Sequence, residues 1–272
     1  MTSSKIIFNS KSLAFNDYGK GFPIVLLHGY LETNEIWNNL AKELSKKFRV
    51  ICPDLPGHGK SEYHENQTVE LMANAVNNLL VHLKIEKVFL IGHSMGGYVA
   101  LAFAGLFPEK LSALCLFHSN PYADSCEKKI MRLHEIELIN KGKKNLIIKT
   151  TIPKLFAKAF IEQRKMLVVQ SLNIALKTSK KGMLACLLAI MNRPDRTQVL
   201  KNMKIPVLWI AGKHDELFSY TKVLKISKGI KHIKTKVLEI SGHNGMLEEP
   251  DKTLQLLNNF MESNNLKEAE KK

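Results

Sequence analysis

Residues 88-VFLIGHSMGGYVALAFA-104 decide the fold. Val88 to Ile91 is an unbroken apolar run, the pattern of a strand covered on both faces. Gly92-His93-Ser94-Met95-Gly96 follows, and from Met95 the chain continues with the small and apolar residues of a buried helix. Strand, glycine turn and helix in this order fit G-x-S-x-G, in which a serine sits on a strained turn at the strand's carboxyl end. Glycines two before and two after the serine keep side chains out of a contact too close to hold them. The pentapeptide alone does not separate a nucleophile from a glycine-rich turn. The rest of the chain has to supply a base, an acid and donors for an oxyanion.

Outward from this segment, strands and helices alternate. Upstream, Lys5 to Gly19 reads as a hairpin and Phe22 to Gly29 (FPIVLLHG) as a buried strand. Glu35 to Lys47 carries Ile36, Trp37, Leu40 and Leu44 at helical spacing, Phe48 to Leu55 is a strand, and Thr68 to Leu83 is an amphipathic helix. Downstream, Leu111 to Ser119 is a strand. From Pro121 to Arg193 the chain reads as helices, among them Glu127 to Ile139 and Ile161 to Leu176, with no convincing strand. The alternation returns with Ile205 to Gly212, a helix near Tyr220 to Lys228, Thr235 to Gly242, and a final helix from Asp251 to Met261. The tail NNLKEAEKK reads as charged and frayed. This pattern predicts an α/β fold, a doubly wound and mostly parallel sheet with right-handed crossovers. Because the strands resume, residues 121–193 are an insertion, a helical cap on a core made of 1–120 and 194–272.

Composition narrows the class. The chain has 272 residues, 45% of them hydrophobic, enough for a large core. No apolar run approaches the roughly 20 residues that span a bilayer, and the first residues do not read as a signal peptide. Four scattered cysteines include no CxxC pair; Cys52 and Cys115 sit in strand-like runs as buried thiols. A reducing, cytoplasmic location is expected. The net charge is +15, and residues 121–200 hold 16 Lys+Arg against 6 Asp+Glu. No basic run is interleaved with aromatics, which argues against a nucleic-acid module. A lysine-rich solvated surface accounts for most of the charge, while a basic cap could steer an anionic substrate or an acidic carrier. The oligomeric state is not legible.

A serine hydroxyl needs a base. Of ten histidines, His243 stands out because it follows a buried strand in the small-residue loop SGHNGMLEEP. His93 adjoins the serine and points elsewhere, and His58 lies in a glycine-rich turn. The base in turn needs a carboxylate to fix its tautomer. Asp215, in GKHDEL after the strand IPVLWIAG, lies on the same sheet edge as Ser94 and His243, where open α/β sheets bind ligands. Asp124 is the weaker rival. Two N–H groups should hold the oxyanion, Met95 just past the serine and Tyr30 after the strand ending in His28-Gly29. His28 is read as a structural hydrogen-bonding residue.

The order Ser94, Asp215, His243, with LLHGY, DLPGHGKS and GHSMGG, resembles the α/β-hydrolase family over nearly the whole chain. The resemblance implies a sheet of the eight-stranded type, a carboxylesterase-like serine hydrolase and an acyl-enzyme on Ser94. It leaves ester, thioester and lactone substrates open. Leu31, His118, Phe156, Phe160, Met246 and Leu247 are expected along the pocket. No metal or other cofactor is expected, since no ligand-like His/Cys spacing occurs. Two alternatives stay open: a lyase or C–C bond hydrolase keeping the triad, and a noncatalytic ligand-binding member of the fold.

Overall fold

The computed structural model describes residues 2–266. Its strands are β1 (Thr2–Phe8), β2 (Lys11–Tyr18), β3 (Pro23–Leu27), β4 (Arg49–Pro53), β5 (Val88–His93), β6 (Leu111–Phe117), β7 (Val207–Gly212) and β8 (Ile233–Leu238). All eight join one sheet in the order β1-β2-β4-β3-β5-β6-β7-β8. The pairs β1–β2 and β2–β4 are antiparallel, and every later pair is parallel. From β3 the chain goes to one side for β4 and to the other for β5. Such a reversal opens a crevice at the carboxyl ends of the strands.

Helices α1 (Asn38–Leu44), α2 (Val69–His82) and α3 (Met95–Leu106) connect the first six strands. Between β6 and β7 come α4 (Cys126–Asn140), α5 (Lys144–Thr151), α6 (Lys158–Gln163), α7 (Lys165–Leu176) and α8 (Lys180–Met191). Then α9 (Thr197–Asn202) leads into β7, and α10 (Tyr220–Ser227) joins β7 to β8. The chain closes with α11 (Gly245–Glu248) and α12 (Pro250–Ser263). The single helix expected over Ile161–Leu176 is two, because Arg164 leaves helical geometry at φ −129°, ψ 43°.

Alternate strand residues face opposite sides of the sheet. Leu26, Phe89, Ile91, Phe117 and Ile210 pack with Leu40, Leu44, Leu257 and Phe260 from α1 and α12. Leu27, Leu90, Leu116 and Trp209 pack with Val76, Leu79, Val99 and Phe103 from α2 and α3. Burial on both faces is why these strands are continuous apolar runs. Each large side chain so buried contributes about 1.5–3 kcal/mol. A third cluster, with Ile139, Ile148, Phe156, Met183 and Leu187, lies among the helices between β6 and β7 and also takes in Leu31 of the loop after β3.

Of the tail read as frayed, Asn264 caps α12 and Leu266 is buried against the core under that helix. The apolar leucine explains the difference, and residues 267–272 lie outside the described residues. Among the described residues no helix is long and apolar enough to cross a membrane.

Candidate active site

Ser94 stands between β5 and α3 at φ 50°, ψ −115°. This conformation costs a non-glycine residue about 1–3 kcal/mol and persists only where the surroundings enforce it. Here the Ser94 N–H donates to Phe117 O at 3.0 Å, and its carbonyl accepts from Gly97 N at 2.9 Å and Ser119 Oγ at 2.8 Å. The glycines make room. A Cβ at Gly92 would stand 2.3 Å from Gly96 O, and one at Gly96 would stand 2.4 Å from Leu27 O.

Asp215 and His243 follow β7 and β8, and their loops are tied where Lys213 N donates to Leu238 O and His214 N to Ser241 O, both at 2.9 Å. Asp215 Oδ1 accepts from Leu217 N at 2.9 Å and Phe218 N at 3.1 Å, while Oδ2 stands 2.8 Å from His243 Nδ1. Burial opposes the Asp215 charge, but His243 and His118 hold the carboxyl well below the usual carboxylate range. A carboxylate only accepts, so His243 Nδ1 carries the proton and Nε2 is left as an acceptor. That Nε2 is buried and makes no hydrogen bond among the described residues. Burial pushes the His243 ring down, and Asp215, with Glu32 and Glu248, more than restores it, leaving it above the ordinary histidine value.

The loop around His243 is clasped to the insertion. His243 N donates to Leu155 O at 2.8 Å. Glu248 Oε2 accepts from Gly242 N and Asn244 N, both at 3.0 Å, while its Oε1 accepts from Ala157 N at 2.7 Å. His118 also faces the acid, with Nδ1 3.4 Å from Asp215 Oδ2. Complete burial pushes its ring down to about 4, so it is neutral.

The loop after β3 is fixed peptide by peptide. Gly29 N–H donates to Glu32 Oε2 at 2.6 Å, Gly29 O lies 2.7 Å from His28 Nδ1, and Leu31 N–H donates to His58 Nε2 at 3.1 Å. In a trans peptide the N–H points opposite the C=O. A Gly29 carbonyl held by His28 therefore aims the Tyr30 N–H the other way. Among the described residues the N–H groups of Tyr30 and Met95 make no hydrogen bond. Met95 N–H opens α3, whose positive dipole end adds to its attraction for negative charge.

A cavity of about 450 Å³ meets these groups. Its lining includes Ser94, His243, Tyr30, Met95, and the expected Leu31 and His118. The other four expected residues do not line it. Phe156 and Phe160 stack on each other, centroids 5.6 Å apart, within the third cluster. Met246 packs under the sheet, and Leu247 packs between that core and the third cluster. From residues 121–193 the lining instead takes the charged Lys128, Arg132, Glu135 and Lys154, together with Thr151 and the apolar Met131, Leu155 and Ile190. Asp124, the rival acid, accepts from both Arg132 and Arg193 and is occupied there. Among the described residues one group, His118 with Asp215 and His243, brings metal-ligand atoms within 4.8 Å of one another. A cation there would have to displace the His243 Nδ1 proton. Glu32 and Glu248 carry no sequence signal; one lies in the loop after β3 and the other ends the short α11, and only the fold turns each toward backbone N–H groups.

A family model described as the alpha/beta hydrolase fold matches residues 23–141. Monoacylglycerol lipase ABHD6 of Bos taurus is 24% identical over 253 residues, which span 88% of this chain and 75% of that protein. A thermophilic esterase from Thermogutta terrifontis, solved with malate bound, is 29% identical with a TM-score of 0.92, covering 97% of this chain and 99% of that one. An enol-lactonase from Burkholderia xenovorans LB400 shares the fold with a TM-score of 0.88 at 22% identity, covering 95% and 99% of the two chains. With one sheet of eight strands, a serine on a positive-φ turn between β5 and α3, and these neighbours, the chain has the alpha/beta hydrolase fold.

Proposed function

We propose that the chain is a serine hydrolase that cleaves a small ester, thioester or lactone through an acyl-enzyme on Ser94. The observation that carries this is the 2.8 Å contact of His243 Nδ1 with Asp215 Oδ2, which leaves Nε2 a bare acceptor beside the cavity that Ser94 lines. Ser94 Oγ attacks the substrate carbonyl as His243 Nε2 takes its proton, and the carbonyl π electrons move onto oxygen. The N–H groups of Tyr30 and Met95 face that oxyanion; losing one such donor costs about 3–4 kcal/mol. The oxyanion collapses, the leaving group departs with the proton from His243, and water repeats the sequence on the acyl-enzyme. The relatives' names, lipase, esterase and enol-lactonase, point to the same bond class.

Residues 121–193 act as the cap in this reading. Its lysines and arginine on the cavity favour an acyl substrate that carries negative charge or rides on an acidic carrier. Four free cysteines suit a reducing compartment such as the cytoplasm.

Ser94→Ala tests the reading. It should abolish hydrolysis of short p-nitrophenyl esters and labelling by a fluorophosphonate while the melting temperature holds. Ester turnover surviving in Ser94→Ala at the wild-type rate refutes the mechanism.

A further inference from the structure

We propose that Glu32 and His93 are positioning residues, a buried strut that sets the oxyanion loop and the general-base loop at a fixed separation, with His93 donating from both ring nitrogens. The inference rests on the acyl-transfer reading above and adds two residues that take no part in the bond changes.

The strut runs through the elbow itself. His93 directly precedes Ser94 and is fully buried, and Glu32 is 6% exposed. His93 Nδ1 lies 2.9 Å from Glu32 Oε2, and His93 Nε2 lies 2.8 Å from the carbonyl oxygen of His243. The same Glu32 oxygen accepts the Gly29 N–H at 2.6 Å. One chain of hydrogen bonds thus passes from the oxyanion loop through Glu32 and His93 to the backbone of the base. A carbonyl oxygen can only accept, so Nε2 carries a proton. An ionised carboxylate can only accept, so Nδ1 carries one too. The ring is then an imidazolium paired with Glu32, and the buried pair is neutral as a unit.

The surroundings fit that assignment. Trp37 and Phe117 stand edge-on to the His93 ring with centroids 6.2 and 6.0 Å away. The other titratable groups facing the pair are His28, His118 at 6.0 Å and His243 at 5.0 Å. Glu32 is the carboxylate in contact with the ring. Burial alone would raise its carboxyl, but His93 and the Gly29 N–H outweigh this and hold it below its ordinary value. Breaking such a pair leaves a buried charge without its partner, so the strut resists rearrangement.

The consequence is preorganisation. Glu32 fixes the peptide before Gly29, and the His28 contact fixes the peptide after it, so the Tyr30 N–H is aimed before substrate arrives. His93 then ties that aim to the height of His243. Misplacing a catalytic group by about 1 Å can cost about 100-fold in rate without weakening ground-state binding.

The test is Glu32→Gln, which keeps the shape and removes the charge. The kcat for p-nitrophenyl butyrate should fall roughly 10- to 100-fold with KM within about twofold of wild type. Affinity for an alkyl boronic acid, which forms a tetrahedral adduct on serine, should fall in step, while affinity for butyrate holds. Glu32→Gln combined with His93→Gln should be no worse than the more damaging single variant. Unchanged kcat in folded Glu32→Gln, or additive losses in the double variant, overturns the strut. Should the variants not fold, nitrogen-15 spectra of the histidines in wild type decide. Each His93 nitrogen should show the signature of an N–H donor toward Glu32 and toward the His243 carbonyl, and a bare nitrogen overturns the assignment. A wild type that turns over no ester sinks the acyl-transfer reading itself; a wild type that turns over ester, with Glu32→Gln equal to it, sinks only the strut.

Discussion

Replacing Asp215 with asparagine exchanges one oxygen for an NH2 group and should remove nearly all turnover. The direction of the new amide is dictated by its neighbours. Oδ1 accepts from Leu217 N and Phe218 N, so the amide oxygen must stay there. The NH2 group then faces His243 Nδ1, at the position now 2.8 Å from it, and can also donate to His118 Nδ1 at 3.4 Å. His243 Nδ1 becomes an acceptor and its proton moves to Nε2. The nitrogen that should receive the Ser94 proton now carries one. For a triad, this tautomer switch costs about 10⁴-fold in kcat. At about 1.36 kcal/mol per tenfold, that is about 5 kcal/mol of lost transition-state stabilisation. The fold should barely notice, because both backbone donors keep their acceptor. Asp215→Ala is the contrast. It leaves the buried Phe218 N–H unpaired, at about 1–3 kcal/mol, and should lower the melting temperature as well. The assay is steady-state hydrolysis of p-nitrophenyl butyrate beside thermal denaturation of wild type and both variants. Asp215→Asn with a normal melt and kcat within tenfold of wild type would refute the tautomer argument.

The His243 ring is held above its ordinary value, and the reaction needs its neutral form. Thus kcat/KM should rise with pH through an ionisation above the unperturbed histidine value of about 6.5, and a profile already flat below that pH contradicts the assigned base. The sign for stability is opposite. The Asp215–His243 pair stabilises fully between the unfolded carboxylate and unfolded histidine values; the histidine share is lost as pH rises through the raised folded value, and the carboxylate share as pH falls toward the depressed one. Gly96→Ala should destabilise by about 1–3 kcal/mol, because its Cβ would lie 2.4 Å from a backbone oxygen of β3; a denaturant midpoint equal to wild type counts against the close contact. If Lys128, Arg132 and Lys154 steer substrate, kcat/KM for an anionic ester should fall with salt more steeply than for a neutral ester of equal size, and parallel slopes remove the steering.

The core was legible because its physics repeats. Strands covered on both faces, such as Val88–Ile91 and Val207–Gly212, must be continuously apolar, and the residues beyond their carboxyl ends share one edge of the sheet. That rule puts Ser94, Asp215 and His243 on one edge, and the G-x-S-x-G turn and the loop SGHNGMLEEP single out the serine and the histidine there. The cavity wall was not legible. Phe156 and Phe160 look like pocket residues because they are aromatic, yet they go to fill the third cluster. Apolarity marks a residue as buried but not which of two buried surfaces it faces. Glu32 shows the converse limit. Nothing in HGYLET distinguishes a solvated glutamate from one that accepts a loop N–H and a histidine proton; only the meeting of β3 with β5 makes that difference.

The order of strands across the sheet has a consequence for the growing chain. The loop after β3 and the serine turn after β5 stand at the middle of the sheet, while Asp215 and His243, the proposed acid and base, follow β7 and β8 at one edge, beyond helices α4 to α8. A ribosome-bound fragment that ends before β7 can hold a serine on its turn yet lacks the base proposed to take its proton. In the proposed reading its hydroxyl stays inert until β7 and β8 have emerged and paired. Long-range pairing of this kind is slow to form. In the proposed reading, Ser94 therefore gains its base only once β8 is in place.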